Sequence, residues 1–168
     1  KLGLIGDKRP KFYWSLGAAQ CLGGVPVPMY QDSVADELQF VVEHAEVRFA
    51  VAENQEQVDK LLEIKDRCPK LEHIIYCDPR GMRDYGQEFL IDFETVQQRG
   101  REFDASNRNF FTTEIETGLG SDIACILYTS GTTGDPKGVV LSHESLIRTA
   151  TNAANWDNMT ADGDVLAY

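Results

Sequence analysis

Apolar residues recur along this chain with two alternating periods. Short runs at Leu2–Ile5, Val25–Met29, Phe49–Ala52 and His73–Cys77 are bounded by Gly, Pro and polar turn residues. Runs of that length, rich in Val, Ile and Phe, predict strands. Pro26 and Pro28 place the second of them on a sheet edge or make it irregular. Between the runs, apolar positions fall at helical spacing. Phe12–Leu22 predicts a helix that Gly23-Gly24 stops. Val34, Leu38, Val41, Val42 and Ala45 share one face of a second helix, with Ser33 and Asp36 as its capping box. Val58, Leu61 and Leu62 mark a third helix over 55–67, closed by Cys68-Pro69.

The second half is less regular. Residues 78–88 read as polar turns, and Phe93–Arg101 predicts a short helix. Residues 104–121 are polar, with partial helix over 108–116. Ile123–Tyr128 predicts a buried strand and Val139–Leu141 a shorter one. Ser142 then caps a helix to about Trp156, with Leu146 and Ile147 facing inward, and Asp164–Tyr168 begins a further strand. Strands that alternate with helices predict an α/β fold: a mostly parallel sheet flanked by helices on both faces. In such sheets a ligand sits beyond the carboxyl ends of the strands. The 168 residues suffice for one core and one domain.

Composition narrows the function classes. The formal charge of −11 argues against nonspecific nucleic-acid binding, which needs a basic surface. No apolar run approaches the ~20 residues of a membrane span. Cys21, Cys68, Cys77 and Cys125 contain no CxxC pair, so zinc and thioredoxin-type readings lack support. Cys21 and Cys125, in apolar surroundings, read as reduced core thiols, and the expected compartment is the cytoplasm. The amino-terminal residues form no signal peptide and include no initiator methionine, and both ends read as cut from a longer chain.

The densest chemistry lies at 128–139, YTSGTTGDPKGV. Ser130, Thr132 and Thr133 offer hydroxyl donors, and Lys137 adds a positive charge. Gly131, Gly134 and Gly138 allow close backbone approach to a ligand. Consecutive backbone N–H groups in such a loop can cradle an anion. The spacing is not that of Walker A: Pro136 stands five after Gly131, and Gly138 follows Lys137. The dinucleotide fingerprint is absent as well.

These residues resemble the phosphate-binding signature of the adenylate-forming superfamily, which includes acyl-CoA synthetases, luciferases and adenylation domains. The likeness covers essentially the whole chain. The tract from Val47 through EQVDKLLEIKDRCPKLEHIIYCD is most similar to bacterial long-chain fatty-acid–CoA ligases. The resemblance implies a subdomain of the large N-terminal domain of such an enzyme, spanning 1–168. It implies ATP, Mg²⁺ and CoA as the cofactor and co-substrates, with a fatty acid as the partner substrate. Thr129, Ser130, Thr132 and Thr133 match hydroxyls that contact the β- and γ-phosphates. Gly131 and Gly134 match the tight backbone positions, Pro136 stiffens the loop, and Lys137 matches the lysine that steadies the loop or the phosphates. Family members are several-fold longer, and their later adenylate-contacting and lysine-bearing segments have no counterpart here. The chain alone is therefore expected to be inactive, with apolar surface uncovered. No catalytic residue and no metal ligand is assigned within it. A longer parent protein has room for peripheral membrane contact.

Other conspicuous residues carry structural expectations. His143 reads as a capping or packing residue, and His44 and His73 as ordinary members of a helix and a strand. Trp14 and Trp156 read as core aromatics. The acidic run over 53–63 reads as a solvated helix face. Two alternatives stand beside the fatty-acid reading: an enzyme that adenylates aryl or amino acids, and a non-catalytic nucleotide-binding module.

Overall fold

The chain begins with two βα units whose strands alternate small and branched apolar residues on both faces, and this alternation builds two layers of core. A computed structural model describes residues 1–129, 136–160 and 163. Its first sheet is formed by β1 (Leu2–Ile5), β2 (Pro26–Met29), β3 (Phe49–Ala52), β4 (His73–Tyr76) and β5 (Leu90–Asp92). All four pairings are parallel and the order is β2-β1-β3-β4-β5. The proline-bearing strand therefore lies at an edge, where missing N–H donors cost least. Successive side chains point to opposite faces. Ile5, Ala50, Ala52 and Ile74 enter one core with α2 (Ala35–His44) and α3 (Gln55–Ile64). Leu4 and Val51 enter the other, with Ile75, Phe93, Phe12 and Leu16. Phe12 and Leu16 belong to α1 (Pro10–Cys21), and Phe93 opens α4 (Phe93–Ser106). The expected mostly parallel α/β sheet with helices on both faces is thus present.

Local chemistry explains the helix ends. Pro10 opens α1, where its lacking N–H is no loss. Gly23, at φ +66°, closes that helix: Gly24 N–H donates to Ala19 C=O at 2.7 Å, and Gly23 N–H to Gln20 C=O at 3.2 Å. This crossed pair satisfies two end carbonyls and needs a left-handed residue. The Ser33–Asp36 capping box does not form. Ser33 N–H donates to Tyr30 C=O in a turn, and α2 starts two residues later with Val34 as an N-cap that makes no side-chain bond. Asp36 and Glu37 in the first turn instead complement the positive helix end. Val34 is consequently 61% exposed, while Leu38, Val41, Val42 and Ala45 are buried. Asn54 caps α3 through Gln57 N–H, and Asp92 caps α4 through the N–H groups of Glu94 and Thr95.

Two elements depart from the sequence reading. β5 was not anticipated, because three half-buried residues carry too little periodicity. It returns parallel to β4 after a crossover held by Tyr85, whose hydroxyl donates to Asp59 Oδ1 at 2.5 Å and accepts from Gln55 Nε2 at 2.9 Å. The helix begun at Phe93 runs on to Ser106, while α5 (Phe110–Thr117) matches the partial helix expected over 108–116.

The final described part packs beside β2 but is not hydrogen-bonded into the parallel sheet. β6 (Ile123–Thr129) and β7 (Lys137–Ser142) form a two-stranded antiparallel ladder, followed by α6 (His143–Trp156). Ser142 caps α6 as expected, accepting from Ser145 N–H at 3.2 Å while Ser145 Oγ donates to Ser142 C=O at 2.9 Å. Ser142→Ala is expected to cost about 1 kcal/mol. Faster amide exchange confined to the first turn of α6 would register that loss; unchanged exchange would mean the cap contributes nothing. Ile147 does not face inward but is 65% exposed. It borders an open cleft among α1, α5 and the start of β6. Trp14 and Trp156 are not core residues, at 58% and 87% exposure. A 3.6-residue period marks a face of a helix but does not say whether another element covers it. The strand predicted at Asp164–Tyr168 lies outside the described residues.

Candidate functional site

The signature begins and ends in the antiparallel ladder. Ala124, Cys125 and Ile126 of β6 are buried, and Ile126 and Tyr128 pack against the core that holds α2 and α3. Tyr128 pairs with Gly138 and Thr129 with Lys137, the last pair before residues 130–136 join the strands. Thr129 and Lys137 are both exposed there, and Pro136 is half-buried. Two of the expected phosphate contacts, a hydroxyl and an ammonium, are therefore anchored face to face across one rung. Ser130, Gly131, Thr132, Thr133 and Gly134 lie outside the described residues.

Gly138 is required by close approach. A Cβ there would stand 3.1 Å from Ile126 Cγ2 and 3.2 Å from Tyr128 Cζ. The Tyr128 ring thus lies against the backbone of the opposite strand. Its hydroxyl is 2.6 Å from Nδ1 of His44, the last residue of α2. The two rings meet edge to face at 5.8 Å, and His44 stacks on Phe40 at 5.4 Å. Burial pushes the Tyr128 phenol upward, so it is a neutral donor or acceptor at neutral pH. In the sequence His44 reads as an ordinary helix residue; periodicity cannot report a partner 84 positions away.

The position of the signature corrects one expectation. Helices that link parallel strands run opposite to them, so α1 and α2 both end at the amino edge of the parallel sheet. Gln20 of α1 donates to Ala124 C=O at 2.9 Å, and His44 of α2 meets Tyr128. β6 therefore lies beside the edge strand β2 and meets the ends of both helices. The signature is rooted near the carboxyl end of α2 and not beyond the carboxyl ends of the parallel strands. The βαβ rule located a ligand by topology, but this loop belongs to an antiparallel hairpin.

The carboxyl edge of the sheet holds a different feature, a cavity of about 500 Å³ lined by Gly6, Phe12, Trp14, Val51, Glu53 and Cys77 among others. Glu53 is not a solvated helix residue. It pairs with Arg9 at 2.5 Å and accepts the Asp7 N–H at 2.6 Å. Burial pushes the Cys77 thiol up to about 11, so it is not a thiolate nucleophile at neutral pH. All four cysteines are free; Cys68 and Cys125 are buried, and Cys21 is only half-buried. At the cavity rim Arg80 donates to both Asp78 oxygens, at 3.0, 2.8 and 2.5 Å. These side-chain bonds, with the Arg80 N–H, hold the Asp78 carboxyl down at about 2. A pKa lowered on folding contributes stability above the unfolded value, about 4, that is lost as pH falls toward 2. Arg80→Gln is expected to return the Asp78 titration toward the ordinary carboxylate range, read by carboxyl NMR. An unchanged titration would remove Arg80 as the cause.

No group of three or more His, Cys, Asp or Glu able to hold a metal occurs among the described residues. No described helix is long and apolar enough to cross a membrane. His143 opens α6, and its N–H donates to Asp122 C=O at 3.1 Å.

Known proteins are similar to this chain in sequence and in fold. The chain is 30% identical over 153 residues to the long-chain-fatty-acid–CoA ligase ACSBG2 of Xenopus laevis, covering 90% of this chain and 20% of that protein. It is 30% identical over 160 residues to long chain acyl-CoA synthetase 3 of Arabidopsis thaliana, covering 88% of this chain and 22% of that protein. The chain thus spans about a fifth of the length of these relatives. The fold matches the fatty acyl CoA synthetase of Mycobacterium tuberculosis with a TM-score of 0.62 at 23% identity, covering 92% of this chain and 26% of that one. It matches the anthranilate CoA ligase AuaEII with a TM-score of 0.66 at 23% identity, covering 89% and 26%. The family model described as AMP-binding enzyme matches residues 1–168, the signature and its flanking hairpin included. Matched by that family model over its whole length, the chain belongs to the AMP-binding enzyme family.

Proposed function

We propose that this chain is the phosphate-binding part of an ATP-dependent long-chain fatty-acid–CoA ligase. The observation that carries the reading is the signature itself, with Thr129 and Lys137 opposed across the last rung of the hairpin. The names of the relatives, long-chain ligases at about 30% identity, support the acid class. In the first half-reaction a carboxylate oxygen attacks the α-phosphorus of ATP, and the bond to pyrophosphate breaks. In the second, the sulfur of CoA attacks the acyl carbonyl, the thiol proton passes to solvent and AMP leaves with the bonding electrons. The carboxylate is already ionised, so the first step needs no strong base. It needs two anions brought together and the leaving pyrophosphate neutralised.

The assigned roles follow. Thr129, Ser130, Thr132 and Thr133 donate hydroxyls to the β- and γ-phosphates. Gly131 and Gly134 let the backbone approach, and Lys137 supplies positive charge at the loop's end. Mg²⁺ would accompany ATP and share the phosphate charge. The chain alone is inactive under this proposal. Exposed Leu127, Val139, Val140 and Ile147 are surfaces for the rest of the enzyme. The cytoplasm is the proposed compartment.

The test is carboxylate-dependent ATP–pyrophosphate exchange by the full-length protein with long-chain, short, aromatic and amino acids. Exchange driven by long-chain fatty acids supports the proposal. Exchange with aryl or amino acids keeps adenylation and overturns the fatty-acid assignment. No exchange with any acid favours a non-catalytic nucleotide-binding module.

A further inference from the structure

We propose that His44 and Tyr128 are a positioning pair that sets where Thr129 and Lys137 stand relative to the parallel sheet. The inference rests on the ATP-binding reading for its functional consequence, but its structural basis is independent of it.

The hairpin is antiparallel and not hydrogen-bonded into the five-stranded sheet. Its two strands therefore hold each other in register without determining how they sit against α2. Side chains make that connection. Near the start of β6, Gln20 Nε2 reaches the Ala124 carbonyl. At the signature end the polar link is Tyr128 Oη to His44 Nδ1, at 2.6 Å. Tyr128 immediately precedes Thr129, and its ring lies beneath Gly138, the neighbour of Lys137. One side chain thus touches both strands one residue outside the Thr129–Lys137 rung. A displacement of the ring is passed to both.

The histidine end is itself fixed. His44 is the last residue of α2, its ring stacks on Phe40 at an interplanar angle of 13°, and Phe40 packs on the main core. With Nδ1 unprotonated the imidazole accepts a hydrogen bond from the tyrosine hydroxyl, and with Nδ1 protonated it donates to the phenol oxygen, so the link persists in either form. The rings do not reach the reacting atoms. They act through Thr129 and Lys137.

The test uses the full-length protein with Tyr128→Phe, His44→Ala, the double variant and His44→Asn, whose amide places a polar atom near the Nδ1 position. Tyr128→Phe keeps the ring against Gly138 and removes only the hydroxyl. Two readouts are taken: amide hydrogen exchange of peptides covering 126–140, and the KM for ATP in pyrophosphate exchange. The expected result is a common acceleration of exchange in both single variants, no further change in the double variant and recovery with His44→Asn. The KM for ATP rises about fivefold, the size of one lost hydrogen bond, with thioester formation from supplied acyl-adenylate unchanged. Additive effects in the double variant, or no change in exchange, would overturn the pairing. A KM change that tracks a lowered melting temperature and is not restored by His44→Asn would reduce it to ordinary stability. If the wild-type protein exchanges no pyrophosphate with any acid, the enzymatic reading fails, and hydrogen exchange still decides the pair.

Discussion

Replacing Lys137 by alanine in the full-length protein is expected to slow adenylation on the order of 10²-fold, the usual scale for removing one group aimed at developing charge. Thioester formation from preformed acyl-adenylate is expected to change far less. The asymmetry follows from when the charge appears. Pyrophosphate departs in the first half-reaction, and only that transition state places new negative charge on the pyrophosphate oxygens, whereas AMP departure in the second charges the α-phosphate. Lys137 stands at the first rung of β7, opposite Thr129, with its side chain exposed. The ammonium is therefore not consumed in packing, and its removal leaves no cavity. Lys137→Arg keeps the charge with a different donor geometry and should retain part of the rate. Single-turnover measurement of both half-reactions checks this, and equal slowing of the two would remove the role assigned to Lys137.

Leu61→Ala is expected to give the largest stability loss, about 3 kcal/mol. Leu61 is fully buried in α3 and lies in the main core with Val58, Ile64 and Ile74. Truncation removes apolar atoms from a site bordered by sheet and helix backbones, which cannot collapse to fill the space. Glu63→Ala, two residues on and exposed, should fall within about 0.5 kcal/mol of the wild type. Urea denaturation followed by circular dichroism separates the two. Similar midpoints for both variants would mean that α3 is not part of the cooperative core.

The first half of the fold was legible because its signals are local. Leu2–Ile5, Phe49–Ala52 and His73–Tyr76 are continuous apolar runs between turn residues, and strands appear there. Leu38, Val41 and Val42 repeat at helical spacing, and they are buried. Gly23-Gly24 forecast a helix end that the φ of Gly23 makes possible. The errors share one cause. Ser33 has the right residue type for a cap, but its N–H is already used in a turn with Tyr30. Trp14, Trp156 and Ile147 lie at apolar positions of helices whose outer faces no described element covers. β5 is too short to carry a period, and its pairing with β4 depends on a crossover held by Tyr85.

For the site, the residue types at 129–137 were legible as an anion-binding set, because hydroxyls, glycines and a lysine act through their own chemistry. Their address in the fold was not. Parallel topology placed the ligand at the carboxyl edge, whereas the signature grows from a hairpin beside β2 and the end of α2. The sequence by itself determined most of the element types, the two-faced core of the parallel sheet and the chemistry of the signature, since each depends on neighbours within a few residues. Only the tertiary structure decided that Thr129 faces Lys137, that Gly138 must be bare for the Tyr128 ring, and that Tyr128 is tied to His44. Those contacts join segments far apart in the chain, and no local pattern of residues encodes which distant surfaces will meet.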